Sequence, residues 1–165
     1  MNQKLSRRKA TPNDFNLTLN IKVNSIKKYV EQIWGWDDKI QFNYHKNNFQ
    51  PEFISIILLD DIEIGYVELK ESNESIEIIN LLISEQFQNQ RIGATILLSL
   101  KVLATNKNKI LKLELFKINT KALSFYKNAG FELIGETTYK FLMHKLPGVE
   151  KLQPNSAFNS WGLSK

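Results

Sequence analysis

The chain has 165 residues, enough for one domain with its own core, and 22 basic against 17 acidic residues give a formal net charge of +5. It contains no cysteine, which excludes disulfides, a thiol nucleophile and thiolate zinc sites, and leaves His45 and His144 as its only imidazoles. The positive balance suits an anionic partner, but the basic residues are scattered singly, so general surface basicity is the plainer reading and no nucleic-acid partner is expected. The first residues lack the apolar core of a signal peptide and no run of about 18 apolar residues exists, so a cytoplasmic protein without membrane association is expected.

Leu5 to Ala10 fits a short first strand. Thr11-Pro12-Asn13-Asp14 is a helix-start signal, with proline beside capping side chains. Phe15, Leu19, Val23, Ile26, Val30 and Ile33 then recur at three- and four-residue steps, predicting an amphipathic helix with that stripe inward. Gly35 interrupts it, and a second short helix is predicted from Asp37 to about His45. Phe53 to Leu59 and Ile62 to Leu69 read as strands joined by a tight hairpin at Asp60-Asp61. Ile76 to Ile83 has the β-branched and aliphatic composition of a strand buried on both faces. Ile92 to Ala104 meets its first charge only at Lys101, which predicts a helix covered on most sides. The polar turn between them delivers a helix N-terminus near Gln90 to Gly93, where free amides and the positive dipole end make an anion site.

Ile110 to Phe116 alternates as a further strand. Asn119 or Thr120 can cap the next helix, whose face is Ala122, Phe125, Tyr126 and Ala129 and whose stop is Gly130. Phe131 to Gly135 and Tyr139 to His144 read as a last hairpin. Residues 146–165, with few apolar side chains, read as a poorly ordered tail in which Trp161 could still dock. The order β-α-α-β-β-β-α-β-α-β-β means one α/β layer fold in a single domain over residues 1–145.

Gln88-Asn89-Gln90-Arg91-Ile92-Gly93-Ala94 resembles the acyl-CoA pyrophosphate loop of the GNAT superfamily of N-acetyltransferases, whose pattern is Gln or Arg, two residues, Gly, one residue, then Gly or Ala. Arg91 replaces the first glycine; it is expected to keep φ negative, donate its amide and add charge near the phosphates, while Gly93 keeps the position of close approach. Asn119, Ala122, Phe125-Tyr126 and Gly130-Phe131 match a second pattern of the superfamily. The element order is also that of the GNAT fold, α/β (α+β) with a mixed central sheet of six to seven strands and four helices.

The resemblance implies acetyl-CoA as co-substrate, with no metal. The backbone of Leu81, Leu82 and Ile83 would pair with the pantetheine arm and a main-chain N–H near Leu82 or Ile83 would serve the oxyanion; Gln88, Asn89, Gln90, Arg91, Ile92, Gly93 and Ala94 would hold the pyrophosphate, and Asn119, Ala122 and Phe125 would complete the coenzyme site. Tyr126 would donate the proton to the leaving thiolate, the alternative being an aromatic on the buried stripe of its helix. Glu77, eleven residues before the loop glutamine, would be the base, with its flanking isoleucines raising its pKa by burial; the alternative is a strand glutamate paired to a lysine. Tyr29, Glu31, Trp34 and Trp36 would shape the acceptor pocket and hold a cationic amine by charge and cation–π contact, unless the tryptophans pack the helix against the sheet. Tyr29-Val-Glu-Gln-Ile-Trp-Gly-Trp36 is similar to a segment of uncharacterised bacterial GNAT proteins. The implied activity is acetyl transfer to a small-molecule or peptide amine by a monomer or homodimer, the alternative being an acyl-CoA-binding regulatory module without efficient catalysis.

Overall fold

The computed structural model describes residues 4–149. The element order is β1 (Leu5–Lys9), α1 (Phe15–Trp34), α2 (Asp38–Asn48), β2 (Ile54–Leu59), β3 (Ile62–Glu71), β4 (Ser75–Ile83), α3 (Ile92–Asn106), β5 (Ile110–Phe116), α4 (Thr120–Asn128), β6 (Glu132–Glu136) and β7 (Lys140–Lys145). The strands form one mixed sheet in the order β1-β2-β3-β4-β5-β7-β6, with four helices, as the GNAT resemblance implies. No helix among the described residues is long and apolar enough to cross a membrane. The chain packs as two compact units, one running up to Glu68 and including Asn80–Gln88, the other comprising Leu69–Ile79 and the chain from Asn89 onward. The expected tail and Trp161 lie outside the described residues from position 150; before it, the Gly148 amide donates to Thr105 Oγ1 at 3.2 Å.

In the first unit, β1, β2 and β3 are antiparallel, with Arg7 opposite Ile57 and Ile56 opposite Tyr66. The predicted hairpin forms at Asp60 and Asp61, whose φ values of 49° and 66° put both in the left-handed region that a tight two-residue turn needs. Asp14 closes a capping box with Thr11 and takes the Arg8 guanidinium on both oxygens at 2.7 and 2.8 Å, which ties β1 to the start of α1.

The stripe read for α1 is corrected in part: Val30 is buried and Phe15 packs on His45 and Phe49, but the remaining members are not core. Thr18, Ile21 and Val30 are its buried residues, and Leu17 and Ile21 pack on Ile54, Ile56 and Tyr66; Leu19, Val23, Ile26 and Ile33 are only half-buried. Partners that the period cannot see explain the shift. The Thr18 hydroxyl donates to the Asp14 carbonyl at 2.9 Å and meets His45 Nε2 at 3.1 Å, so a polar residue is buried there at no cost in lost hydrogen bonds. His45 is a core histidine, set between Phe15 and Phe49.

In the second unit, β5 runs parallel to β4, with Ile76 opposite Leu111 and Ile78 opposite Leu113, and β7 adds Met143 opposite Leu113. These side chains and Ile96, Leu97 and Leu100 of α3 are buried. The expectation that β4 is buried on both faces fails: only Ile76 and Ile78 are buried, and residues from Ile79 to Ile83 are half-buried. β6 is an edge strand, exposed throughout.

Candidate active site

In the first unit, the end of β4 is shaped by two contacts. Gly65 of β3 lies so close that a Cβ there would sit 2.2 Å from the Leu82 carbonyl oxygen and 3.1 Å from the Ile83 Cα. Only glycine allows this approach. Nothing in the alternating pattern of β3 shows this role; a glycine inside an otherwise apolar strand is the signal that could have found it. At the exit of β4, the Ser84 amide donates to the Ile64 carbonyl at 2.8 Å, and Gln88 Nε2 donates to the Ile83 carbonyl at 2.8 Å. The Gln88 side chain therefore folds the loop back onto Ile83. Leu82 packs its side chain on the cluster around Tyr66, while Leu81 and Ile83 are half-buried.

The loop continues in the second unit through two left-handed residues, Asn89 and Arg91, both at φ 61°. This corrects the expectation for Arg91, whose φ was to stay negative. The turn into α3 requires the backbone region that favours glycine, and arginine occupies it at a steric cost of about 1–2 kcal/mol. Arg91 is the N-cap residue: its carbonyl accepts from the Thr95 amide at 3.0 Å and from the Thr95 hydroxyl at 3.1 Å, and no side chain caps the helix start. The first amides of α3, from Ile92, Gly93 and Ala94, have no intrahelical acceptor and carry the positive end of a 15-residue helix. Arg91 adds an exposed guanidinium. The Ile92 side chain is core, so that residue contributes backbone alone. At Gly93 a Cβ would meet Phe125 at 3.7 Å, an ordinary contact, so nothing in the chain itself demands glycine there.

In α4, Asn119 Oδ1 accepts the Ala122 amide at 3.0 Å, which makes Asn119 the helix cap and engages its side chain within the helix start. Ala122 and Phe125 are half-buried. Tyr126 is buried between Phe125 and Phe131, with ring centroids at 5.1 and 5.4 Å. Burial alone pushes its hydroxyl pKa well above the usual phenol value, so the group keeps its proton throughout the neutral range. Glu77, half-buried between Ile76 and Ile78, stands in register with Lys112 of β5, but no ion pair joins the two among the described residues.

The four aromatic and acidic residues expected around an acceptor lie at the α1–α2 corner in the first unit. Gly35 turns that corner at φ 79°. Trp34 is 56% exposed, which rules out packing against the sheet for that residue. Trp36 is half-buried; its Nε1 donates to Asp38 Oδ1 at 2.8 Å and Lys27 Nζ lies 5.4 Å from its ring. Lys28 Nζ lies 5.0 Å from the Tyr29 ring, and Glu31 is exposed. The rings of Tyr29 and Trp36 thus do bind ammonium groups, those of the protein's own lysines.

Sequence reasoning missed one polar pair: Glu68, buried in the middle of β3, accepts a hydrogen bond from Asn80 Nδ2 of β4 at 2.6 Å. A charged residue among Tyr66, Val67 and Leu69 was its signal in the sequence.

The model of the acetyltransferase (GNAT) family matches residues 23–131. No curated protein matches by sequence. Among solved structures, the chain is similar to the PaiA N-acetyltransferase of Thermoplasma acidophilum in complex with coenzyme A, at 20% identity over 87% of this chain and 99% of that one, with a TM-score of 0.71. It is also similar to the ribosomal-protein-S18-alanine N-acetyltransferase of Escherichia coli, at 13% identity over 91% and 99% with a TM-score of 0.62. A third similar structure is Arabidopsis thaliana Naa50 in complex with a bisubstrate analogue, at 18% identity over 86% and 97% with a TM-score of 0.56. At these identities the likeness is one of fold.

Proposed function

Because the chain belongs to the acetyltransferase (GNAT) family, we propose that it moves the acetyl group of acetyl-CoA to a primary amine, of a small molecule or of a protein or peptide, by direct attack on the thioester. The match of the family model through β4, the polar loop, α3 and α4 is the observation that carries this reading. The thioester supplies an activated acetyl carbonyl. The half-buried backbone of Leu81 to Ile83 pairs with the pantetheine arm, and an amide of that segment stabilises the oxyanion. The unpaired amides of Ile92, Gly93 and Ala94 and the Arg91 guanidinium bind the pyrophosphate.

Tyr126 gives its proton to the departing sulfur. A phenol kept protonated by burial is always loaded for that step, and transfer accompanies the breaking of the C–S bond. The incoming amine arrives as an ammonium ion and must lose a proton to a carboxylate. Glu77, the carboxylate expected on β4, has a lysine in register with it.

A binding module without catalysis would draw on Arg91 in place of glycine. Since Arg91 adopts the left-handed conformation that favours glycine, the substitution leaves the path of the loop intact, and the transferase reading is preferred. Thermal melting with acetyl-CoA tests the coenzyme. A ligand that binds only the folded chain at about 100 times its dissociation constant adds roughly 2.7 kcal/mol, a shift of several degrees at this size. A saturable shift, followed by thiol release with members of an amine panel, is the expected result; a melting curve indifferent to acetyl-CoA refutes the proposal.

A further inference from the structure

The described residues hold two buried carboxylates, Asp14 and Glu68, and their surroundings differ. Asp14 is compensated by the Arg8 fork and by the Thr11 amide at 2.8 Å. Glu68, 8% exposed, makes its side-chain hydrogen bond to an uncharged group, although Lys70 follows on the same face of β3. Tyr66 precedes it on the same face of β3, Ile54 is opposite it on β2, and Asn80 Nδ2 donates to its Oε2. Among the described residues no lysine, arginine or histidine pairs with it. A carboxylate taken out of water without a cation is costly, and such a cost is retained where it serves binding or chemistry.

We propose that Glu68, held in place by Asn80, is the carboxylate that receives the ammonium group of the acceptor and takes its proton before attack. This rests on the acetyltransferase reading. Asn80 immediately precedes Leu81, so a single hydrogen bond links Glu68 to the strand segment assigned to the thioester. The cation missing from Glu68 is then supplied by the substrate, which makes a cationic primary amine the acceptor class. Glu77 differs in burial, being half-buried where Glu68 is buried.

The proton balance closes. The ammonium ion gives one proton to Glu68, and the neutral nitrogen forms a bond to the thioester carbonyl carbon. The C–S bond breaks as Tyr126 protonates the sulfur, and the second nitrogen proton returns to Tyr126 through solvent. Glu68 then releases its proton, so one amide, one coenzyme thiol and one proton leave for each ammonium ion and acetyl-CoA consumed.

The test needs no knowledge of the natural acceptor. S-(2-aminoethyl)-coenzyme A carries a primary ammonium two carbons from the sulfur, and S-ethyl-coenzyme A carries the same chain without it. Calorimetric titration at neutral pH should show wild type binding the ammonium analogue about tenfold or more tighter than the ethyl analogue, the scale of one charge-assisted hydrogen bond. In Glu68→Gln that ratio should fall close to one, while affinity for the ethyl analogue stays at the wild-type value. A wild-type ratio near one overturns the proposal without recourse to any variant. So does a preference kept in Glu68→Gln, or lost in Glu77→Gln instead. Should Glu68→Gln not fold, Glu68→Asp, which keeps the charge and withdraws it by one methylene, is expected to reduce the ratio, and an unchanged ratio refutes the role. Failure of both analogues to bind overturns the coenzyme reading itself and is distinct from every outcome above.

Discussion

Replacing Arg91 by glycine separates two contributions that the wild-type residue combines. Its backbone sits at φ 61°, where a side chain costs about 1–2 kcal/mol and glycine costs nothing. Glycine also loosens the unfolded chain, which takes back about 0.5–1 kcal/mol. The balance is a gain of roughly 0.5–1 kcal/mol, or about 1–4 °C in Tm for a domain of this size. Arg91→Gly should therefore melt higher than wild type in the absence of ligand. Its affinity for acetyl-CoA should nevertheless fall, because the exposed guanidinium is gone; a loss of roughly three- to tenfold, shrinking as salt is added, matches a solvent-screened charge on a phosphate. Arg91→Ala keeps the backbone penalty and removes the charge, so it should lose affinity without gaining stability. Differential scanning calorimetry and isothermal titration on the three proteins decide the matter. If Arg91→Gly melts at or below the temperature of Arg91→Ala, the left-handed backbone is not the origin of the cost. If its affinity and salt dependence are those of wild type, Arg91 makes no contact with the coenzyme phosphates.

Tyr126→Phe should lower turnover by roughly 10²–10⁴-fold while leaving the acetyl-CoA dissociation constant near its wild-type value; turnover unchanged within a few fold removes Tyr126 from the proton transfer. Gly65→Ala drives a Cβ to 2.2 Å from the Leu82 oxygen, so β3 and the end of β4 must separate, at about 1–3 kcal/mol or more and several degrees of Tm; an unaltered melt refutes the close approach. His45 has its pKa held below the usual histidine value, first by burial and then by the charge of Lys22. The folded state therefore takes up its proton later than the unfolded state as pH falls, so stability is full above about pH 6.5 and declines below it. Denaturant titrations at pH 7 and pH 5 should show this decline, reduced in His45→Gln, and an equal decline in that variant assigns it to other groups.

What the sequence made legible has local causes. The Thr11 to Asp14 helix start and the Asn119 cap follow from side chains bonding to backbone within a few positions, the Asp60-Asp61 hairpin and the Gly130 stop from left-handed backbone, and each stands where it was expected. The α1 stripe is different. Leucines, valines and isoleucines populate more than one line of that helix, and the choice among them is made by contacts 27 and 30 positions away, between His45 and Thr18 or Phe15. A period cannot report a partner on another element. Arg91 failed for a related reason: residue type gives the cheapest backbone conformation, while the path from the loop into α3 dictates the one adopted.

The motif residues point the same way. Gln88 and Asn119 belong to the two patterns that carry the family resemblance, and a reading by motif assigns both to the coenzyme. Their side chains are engaged within the protein, Gln88 on the Ile83 carbonyl and Asn119 on the Ala122 amide. A side chain that fixes a loop or a helix start governs where the neighbouring amides lie, so a binding site made of backbone depends on residues that need not touch the ligand. Glu68 is the converse case. It belongs to no motif and alternation assigns it only a face of β3, yet it is the buried carboxylate for which the described residues supply no counter-charge. Sequence patterns thus report residues that fix the backbone locally, whereas the burial of Glu68 is visible only in the fold, and the proposed contact with a cationic acceptor rests on that burial.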